Sequence, residues 1–464
     1  MKILFVFTDI NTMGLGAISY HFGIGSLSAV LKQQGHKTKL FYTQNKSNLH
    51  TITREIQTFQ PDIIGFTSDT TQIIYIKKIL AEIKHLGIFT VLGGCHASLS
   101  PDCLTEIDGL NAICIGEGEE TFLELIQFLE DKKDIQNIRG LWIKTQEGEI
   151  VKNPTRPFIS NLDFLPFSDY DLFDYQKIIN SDYGRLSFML SRGCPFSCTY
   201  CASPIMGRLQ EGKYVRFMTP ARAIAELRYL KSRYRFKTIF FADDTFTINK
   251  EYVLNFSEKY KKEIGIPFEI NARVETVLED MLKVLKETGC FKVHMGIEHG
   301  NEAFRRNVLN RHMRNEAIIN AFKLTKEQGI ATKSYNIVGF PFETKELHQD
   351  TININRQVNP DAHVCYIFQP YPGTELYDIC KEHNFLKEDF FNSEVVSRRD
   401  TLLDIPTFSR EEVLKCHRNF SYQIYKKKSL YRALIYKIYY SPYGEKLIRL
   451  LFPVKNLLRN LVMK

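Results

Sequence analysis

The 464-residue chain is 44% hydrophobic and 25% charged, enough for two or three globular domains and too apolar for a disordered one. It holds no run of 18 apolar residues, so no membrane-spanning helix is expected, and Met1-Lys-Ile-Leu-Phe-Val-Phe7 is too short for a signal peptide. The net charge of +8 sits at one end: Tyr425 to Lys464 carries ten basic residues against Glu445 alone, so nucleic-acid binding, open to that tail on charge alone, is not expected of the near-neutral body.

The first part alternates short apolar runs with helical patterns. Strands are predicted at Lys2–Thr8, Lys39–Tyr42, Asp62–Thr67, Thr90–Gly94 and Ala112–Ile115. Helices are predicted at Ile24–Gln34, closed by Gly35, at Ile73–His85, closed by Gly87, and at Thr121–Leu129. This alternation predicts a doubly wound, Rossmann-like parallel sheet over residues 1–145, ending in a hairpin from Trp142 to Val151. Small or polar residues follow its third, fourth and fifth strands: Thr67-Ser68, Gly93-Gly94-Cys95-His96 and Gly116-Glu117-Gly118-Glu119. Strand ends are where such sheets bind ligands, and small residues there make a floor for a planar molecule, a nucleotide among others.

Residues 146–182, with Pro154, Pro157 and Pro166, read as a linker draped over the surface. A second strand–helix series is expected over 183–400. Its strands are Leu186–Leu190, Thr238–Ala242, Phe268–Ala272, Lys292–Ile297, Lys333–Val338 and His363–Phe368. Thr219-Pro220 starts a helix, and Gly289 and Gly329 lie near two helix ends. Six units predict a partial, open (β/α)6 barrel. Polar residues again gather at strand ends: Asp243-Asp244, Asn271-Ala-Arg273-Val-Glu275, Glu298 before His299-Gly300, and Gly339 before Phe340-Pro341. Each has a structural alternative: Asp243 or Asp244 as a helix cap, Arg273 with Glu298 as an ion pair, Pro341 and Thr344 as a helix start.

The first of these strands runs into Cys194-Pro-Phe-Ser-Cys198-Thr-Tyr200-Cys201. Three thiolates at C-x3-C-x2-C spacing would hold three irons of a four-iron cluster and leave the fourth open to a substrate or cofactor. A zinc site lacking its fourth ligand is the simpler alternative. The other seven cysteines are scattered through apolar segments and read as reduced, buried thiols, as in the cytoplasm.

This loop resembles the signature of the radical S-adenosylmethionine enzymes, and the resemblance covers most of the chain. It implies a [4Fe-4S] cluster on Cys194, Cys198 and Cys201, with S-adenosylmethionine on the open iron. One electron then splits the sulfonium to a 5′-deoxyadenosyl radical. It also implies S-adenosylmethionine contacts from Tyr200, Asp243, Asp244, Arg273 and Glu298, and adenine packing at Gly339. The preceding domain resembles the cobalamin-binding domain of the B12-dependent branch, which implies cobalamin contacts from Thr67, Ser68, Gly93, Gly94, His96, Gly116, Glu117 and Gly118. At Asp9-Ile-Asn11-Thr-Met-Gly14 the chain departs from the Asp-x-His-x-x-Gly motif of other corrinoid proteins, so no histidine is offered to cobalt there.

The activity implied is methylation of an unactivated carbon in a small-molecule or lipid-like substrate. The alternative is radical ring closure or rearrangement without methyl transfer. The partners implied are a reducing donor such as flavodoxin or ferredoxin. In residues 401–464 a basic helical tail is expected, and from Glu445 on, Leu447, Leu450, Val454, Leu457 and Leu461 form a stripe. That stripe reads as a helix packed on the barrel or as a peripheral membrane contact.

Overall fold

The computed structural model describes residues 1–10, 18–387, 390–394 and 398–439. The Asn11 motif and the leucine stripe beyond Glu445 lie outside them. The first seven strands are β1 (Lys2–Thr8), β2 (Lys37–Thr43), β3 (Ile63–Thr67), β4 (Phe89–Gly93), β5 (Ala112–Cys114), β6 (Leu141–Lys144) and β7 (Ile150–Lys152), in one sheet ordered 2-1-3-4-5-6-7. β1 to β5 are parallel, and the β6–β7 hairpin adds antiparallel to β5. Helices cover both faces, which is why β3 is buried at every residue and reads as a continuous apolar run. The winding reverses between β1 and β3, and this opens a crevice at their carboxyl ends.

The second part contributes β8 (Arg185–Phe188), β9 (Ser191–Arg192), β10 (Arg216–Phe217), β11 (Thr238–Phe241), β12 (Phe268–Ala272), β13 (Cys290–Glu298), β14 (Ala331–Val338) and β15 (Ala362–Ile367). Six of these form an all-parallel sheet ordered 8-11-12-13-14-15, an open barrel of consecutive strands. Thr219 caps the helix Pro220–Arg233 as expected: its hydroxyl accepts from Arg222 N–H at 3.2 Å, with proline at the first turn. The two-residue strands β9 and β10 pair antiparallel, Arg216 opposite Arg192. They are too short to carry a periodicity and were not expected.

The linker is not draped over the surface. Phe158, Leu162, Tyr170, Phe173, Tyr175 and Ile179 are buried, and most of them join the α/β core of the first domain to that of the barrel. Tyr170 donates to the buried carboxylate of Glu226 at 2.9 Å, and Ser168 N–H donates to it at 3.0 Å. The prolines mask this in the sequence, because an aromatic segment without regular period still buries roughly 1.5–3 kcal/mol per large side chain. At the C-terminal end, helix Arg410–Tyr425 closes the last barrel strands through Val413, Phe420 and Ile424, and helix Leu430–Tyr439 follows it. Among the described residues no helix is long and apolar enough to cross a membrane.

Candidate active site

All three cysteines of the signature lie between β9 and β10, so the ribbon is the base of their loop. Gly193 enters the loop at φ 89°, and a Cβ there would stand 2.6 Å from the Tyr214 carbonyl, so the sharp exit from β9 requires glycine. Cys198 is buried, and its sulfur accepts from Arg273 Nη1 at 3.2 Å and from Arg311 Nη1 at 3.7 Å. Ser203 N–H donates to the sulfur of Cys201 at 3.5 Å. Burial pushes the Cys194 thiol up and the Cys201 thiol up to about 12. Bound iron would reverse this, because a coordinating thiol is deprotonated by the metal's charge. The arginines and the backbone donor are what thiolates or a cluster need in order to stay charged under cover.

A compact charged cluster crowns the barrel. Arg273 pairs with Glu275 at 2.6 Å and stacks its guanidinium over Phe196, 3.7 Å from the ring centroid. The Arg273–Glu298 pair considered from the sequence is therefore not the one formed. Glu298 lies 4.0 Å from Arg311 instead, at φ 62° beyond a bulge in β13, and burial pushes its carboxyl up despite Arg311 and Arg273. A side chain at Gly296 would collide with that carboxylate, which accounts for the glycine in Met295-Gly-Ile-Glu298. Arg311, absent from the sequence-derived candidates, holds the cluster together. It donates to Tyr200 Oη at 3.3 Å and to the Gly296 carbonyl at 2.6 Å. It sits in the short connection between the helices Glu302–Asn307 and Asn315–Glu327, which gave no local signal. Tyr200 also meets Phe340 edge-on at 5.7 Å.

The adjacent aspartates diverge. Asp243 is buried beneath the loop, where it accepts from Leu190 N–H at 3.1 Å and from the Ser191 hydroxyl, and burial raises it to about 6. It braces the strand-to-loop exit. Asp244 reaches the cleft described below, whose walls push its carboxyl up. Gly339 makes room for a protein side chain: a Cβ there would meet Val413 of the C-terminal helix at 2.8 Å.

Across from the cysteine loop, the carboxyl edge of the first sheet forms one wall of a cleft of about 370 Å³. Thr67, Gly93, Gly94, Gly116, Glu117 and Gly118 line it, as do Phe5, Leu27 and Phe122 deeper in. Arg192, Gly193, Met206, Tyr214 and Asp244 supply the opposite wall. At Gly94, φ is 88° and a Cβ would stand 2.7 Å from Thr67 Oγ1, so glycine keeps the β4 exit tight. A cleft with glycines along one edge and apolar side chains on its walls fits a large flat cofactor with a bulky appendage.

Ser68 and His96 are not among the lining residues. The Ser68 hydroxyl turns to the Asp69 carbonyl at 2.6 Å; His96 is buried beside Thr70 at 3.3 Å, its pKa pushed down to about 4 by burial. The histidine that does line the cleft is His21. It caps the first helix by accepting from Ile24 N–H at 3.2 Å, and it sits 3.3 Å from Thr67 Oγ1, pushed down to about 4 by burial. Its place just before an amphipathic helix was the signal that sequence reading passed over.

Glu117 also lines the cleft, yet its carboxylate is engaged. It accepts from Arg192 at 3.0 Å, from Arg216 at 2.7 and 2.9 Å, and from Ile159 N–H at 3.0 Å. Burial pushes its carboxyl up, but the two arginines outweigh this and hold it below the usual range.

Residues 188–353 match the family model of the radical SAM superfamily, and residues 12–126 match that of the B12 binding domain. An uncharacterised methyltransferase of Pyrococcus horikoshii is 32% identical over 90% of this chain and 91% of its own length. An anaerobic magnesium-protoporphyrin IX monomethyl ester cyclase of Rubrivivax gelatinosus is 27% identical over 76% of this chain and 65% of its own. The fold is shared with the radical S-adenosylmethionine methyltransferase TsrM of Kitasatospora setae, solved with cobalamin and a [4Fe-4S] cluster. That likeness has a TM-score of 0.65 at 17% identity, over 83% of this chain and 79% of that one. It is also shared with the cobalamin-dependent S-adenosylmethionine radical enzyme OxsB, with a TM-score of 0.68 at 18% identity over 98% and 75% of the two chains.

Proposed function

The chain belongs to the radical S-adenosylmethionine superfamily, in the branch with an N-terminal B12-binding domain, and from that premise we propose a cobalamin-dependent methyltransferase acting on an unactivated carbon of a small-molecule or lipid-like substrate. One observation carries this reading: a single cleft has the glycine-rich edge of the first sheet on one wall and, on the other, Gly193, Met206 and Tyr214 of the loop that carries the cysteines. Two cofactors bound on those walls would face each other.

On this reading Cys194, Cys198 and Cys201 hold a [4Fe-4S] cluster, and Tyr200, Asp244, Arg273 and Glu298 surround S-adenosylmethionine on its open iron. Thr67, Gly93, Gly94, Gly116 and Gly118 cradle cobalamin. When bound, these groups supply hydrogen-atom abstraction and methyl transfer. The chain's own residues do the rest. Arg273 and Arg311 offset the charge on Cys198. The raised carboxyl of Glu298 is poised to accept a bond from a cationic ligand, whose charge would hold it ionised. Phe196 covers Arg273, and Phe340 lies edge-on against Tyr200. Asp243 and Gly339 support the walls, since their partners are other parts of the chain.

Electrons would come from a flavodoxin- or ferredoxin-like donor. Leu430, Tyr431, Leu434 and Ile438 are exposed on the last described helix, beside Arg432 and Lys437. This supports a peripheral contact with an anionic membrane and a lipid-like substrate. Anaerobic incubation with deuterated-methyl S-adenosylmethionine and dithionite is the test. Labelled methyl on the recovered cobalamin, with 5′-deoxyadenosine, is expected. Deoxyadenosine without any transferred label would favour ring closure or rearrangement.

A further inference from the structure

The three cysteines lie on a 23-residue excursion, residues 193–215, whose two ends are held by a single carboxylate of the other domain. Arg192 and Arg216 are the cross-strand pair of the β9–β10 ribbon, and Glu117 accepts from both. Glu119, two residues on and buried, takes Arg192 Nη2 at 2.6 Å and is itself held by the Ser26 hydroxyl at 2.7 Å. The turn that offers these acids is fixed in turn. Gly116 N–H donates to Ser98 Oγ at 3.0 Å, and Glu117 N–H donates to Gln210 Oε1, within the excursion, at 2.8 Å. A side chain at Gly116 would collide with Gln210. Two carboxylates thus meet two guanidiniums with little access to water, the setting in which ion pairs fix geometry most strongly.

We propose that Glu117, with Glu119, is a positioning clasp: it sets the cysteine loop at one fixed distance from the cofactor floor of the N-terminal domain, and is not itself a cofactor ligand. The inference rests on the function proposed above and adds a mechanical role to the Gly-Glu-Gly-Glu turn. That turn ends β5 beside the floor, so any shift of the floor would carry the loop with it. An unclasped loop would let the two cofactors bind while their separation varied.

Two variants test this, Glu117→Ala and the milder Glu117→Gln, which keeps volume and an acceptor if the first does not fold. Without cofactors, hydrogen exchange over 193–215 should be at least tenfold faster in the variant than in the parent, with the rest of the barrel unchanged. With cofactors loaded, iron and cobalamin content should hold. The dipolar splitting between cob(II)alamin and the reduced cluster should broaden, and 5′-deoxyadenosine formed per methyl transferred should rise severalfold. Unchanged exchange over the loop would overturn the clasp, as would unchanged splitting in a loaded variant. Lower cobalamin affinity with parent-like loop exchange would make Glu117 a cofactor ligand and overturn it too. A parent protein that binds no cobalamin would defeat the proposed function instead, while the exchange measurement still decides the clasp.

Discussion

The carboxyl edges of the two sheets face each other and are built on opposite plans. On the N-terminal sheet, strands end in Thr67, Gly93, Gly94 and the Gly116–Gly118 turn, and what matters is the space left open. On the barrel, strands end in Asp243, Arg273 and Glu298, and what matters is the partner each meets: Leu190 N–H, Glu275 and Arg311 respectively. A preformed organic cofactor carries its own chemistry and asks the protein for room. Thiolates, a charged metal cluster and a zwitterionic ligand ask for compensating charge, which costs several kcal/mol per ion if left out. The first kind of site is recorded in a sequence as missing side chains, the second as charged residues whose partners lie far along the chain.

If the two edges are independent loading sites, each can be emptied alone. The largest effect is expected from Cys198→Ala, which leaves two thiols where three irons need holding. Iron by chemical analysis and the cluster absorbance should fall to background while cobalamin binding persists. Loss of both would mean that the edges fold as one site.

Acid compares the buried interiors of the two regions. His96 in the first and His363 in the second are both pushed down to about 4 by burial. Each pKa is depressed on folding, so between about pH 6.5 and 4 the unfolded chain takes up protons that the folded chain refuses. Stability is therefore present above that window and lost as pH falls through it, by roughly 3 kcal/mol per histidine. His363→Gln keeps a partner for the Ser421 hydroxyl and should flatten the stability–pH curve of the barrel by about that amount, measured by denaturant melts. An unchanged slope would show that His363 titrates normally.

Gly93→Val is the converse of the cysteine change. Gly93 lines the cleft, and its Cβ would have at least 3.9 Å to every neighbour, so the fold should accept it while the slot fills. Overpacking a site costs roughly 1–3 kcal/mol, so cobalamin affinity should fall about five- to 150-fold with iron content intact. Parent-like affinity in titration would move the cofactor elsewhere. Glu298→Gln should weaken S-adenosylmethionine binding about 10- to 150-fold by equilibrium dialysis, for a charge-assisted bond of roughly 1.5–3 kcal/mol, and leave both prosthetic groups loaded. The smallest effect concerns the C-terminal end: full-length protein should bind anionic vesicles weakly and lose them with added salt, at about 1 kcal/mol per basic residue near the surface. Indifference to anionic vesicles at low salt would remove the membrane contact.

Much of the architecture was legible beforehand because its signals are local. Continuous apolar runs marked buried parallel strands, Thr219-Pro220 a helix start, and the cysteine spacing a loop chemistry. Asp244 and the Gly93-Gly94 pair were found at the cleft for the same reason: position after a strand determines which edge a residue reaches. What a side chain does at that edge was settled only by folding. Asp243 and Asp244 are neighbours in sequence, yet one braces Leu190 and the other faces the cleft. Arg311 and the buried linker aromatics carried no period or motif, and His21 carried only its place before the first helix. Glu117 was visible as an acid in a glycine turn, but its arginines lie 75 and 99 residues away. The two sheets, the cysteine loop and the glycine-rich strand ends follow from local pattern, because backbone conformation is a short-range property. Which charges meet follows only from the folded chain, because ion pairs and buried hydrogen bonds are chosen by proximity in space, and desolvation penalises every charge that fails to find one.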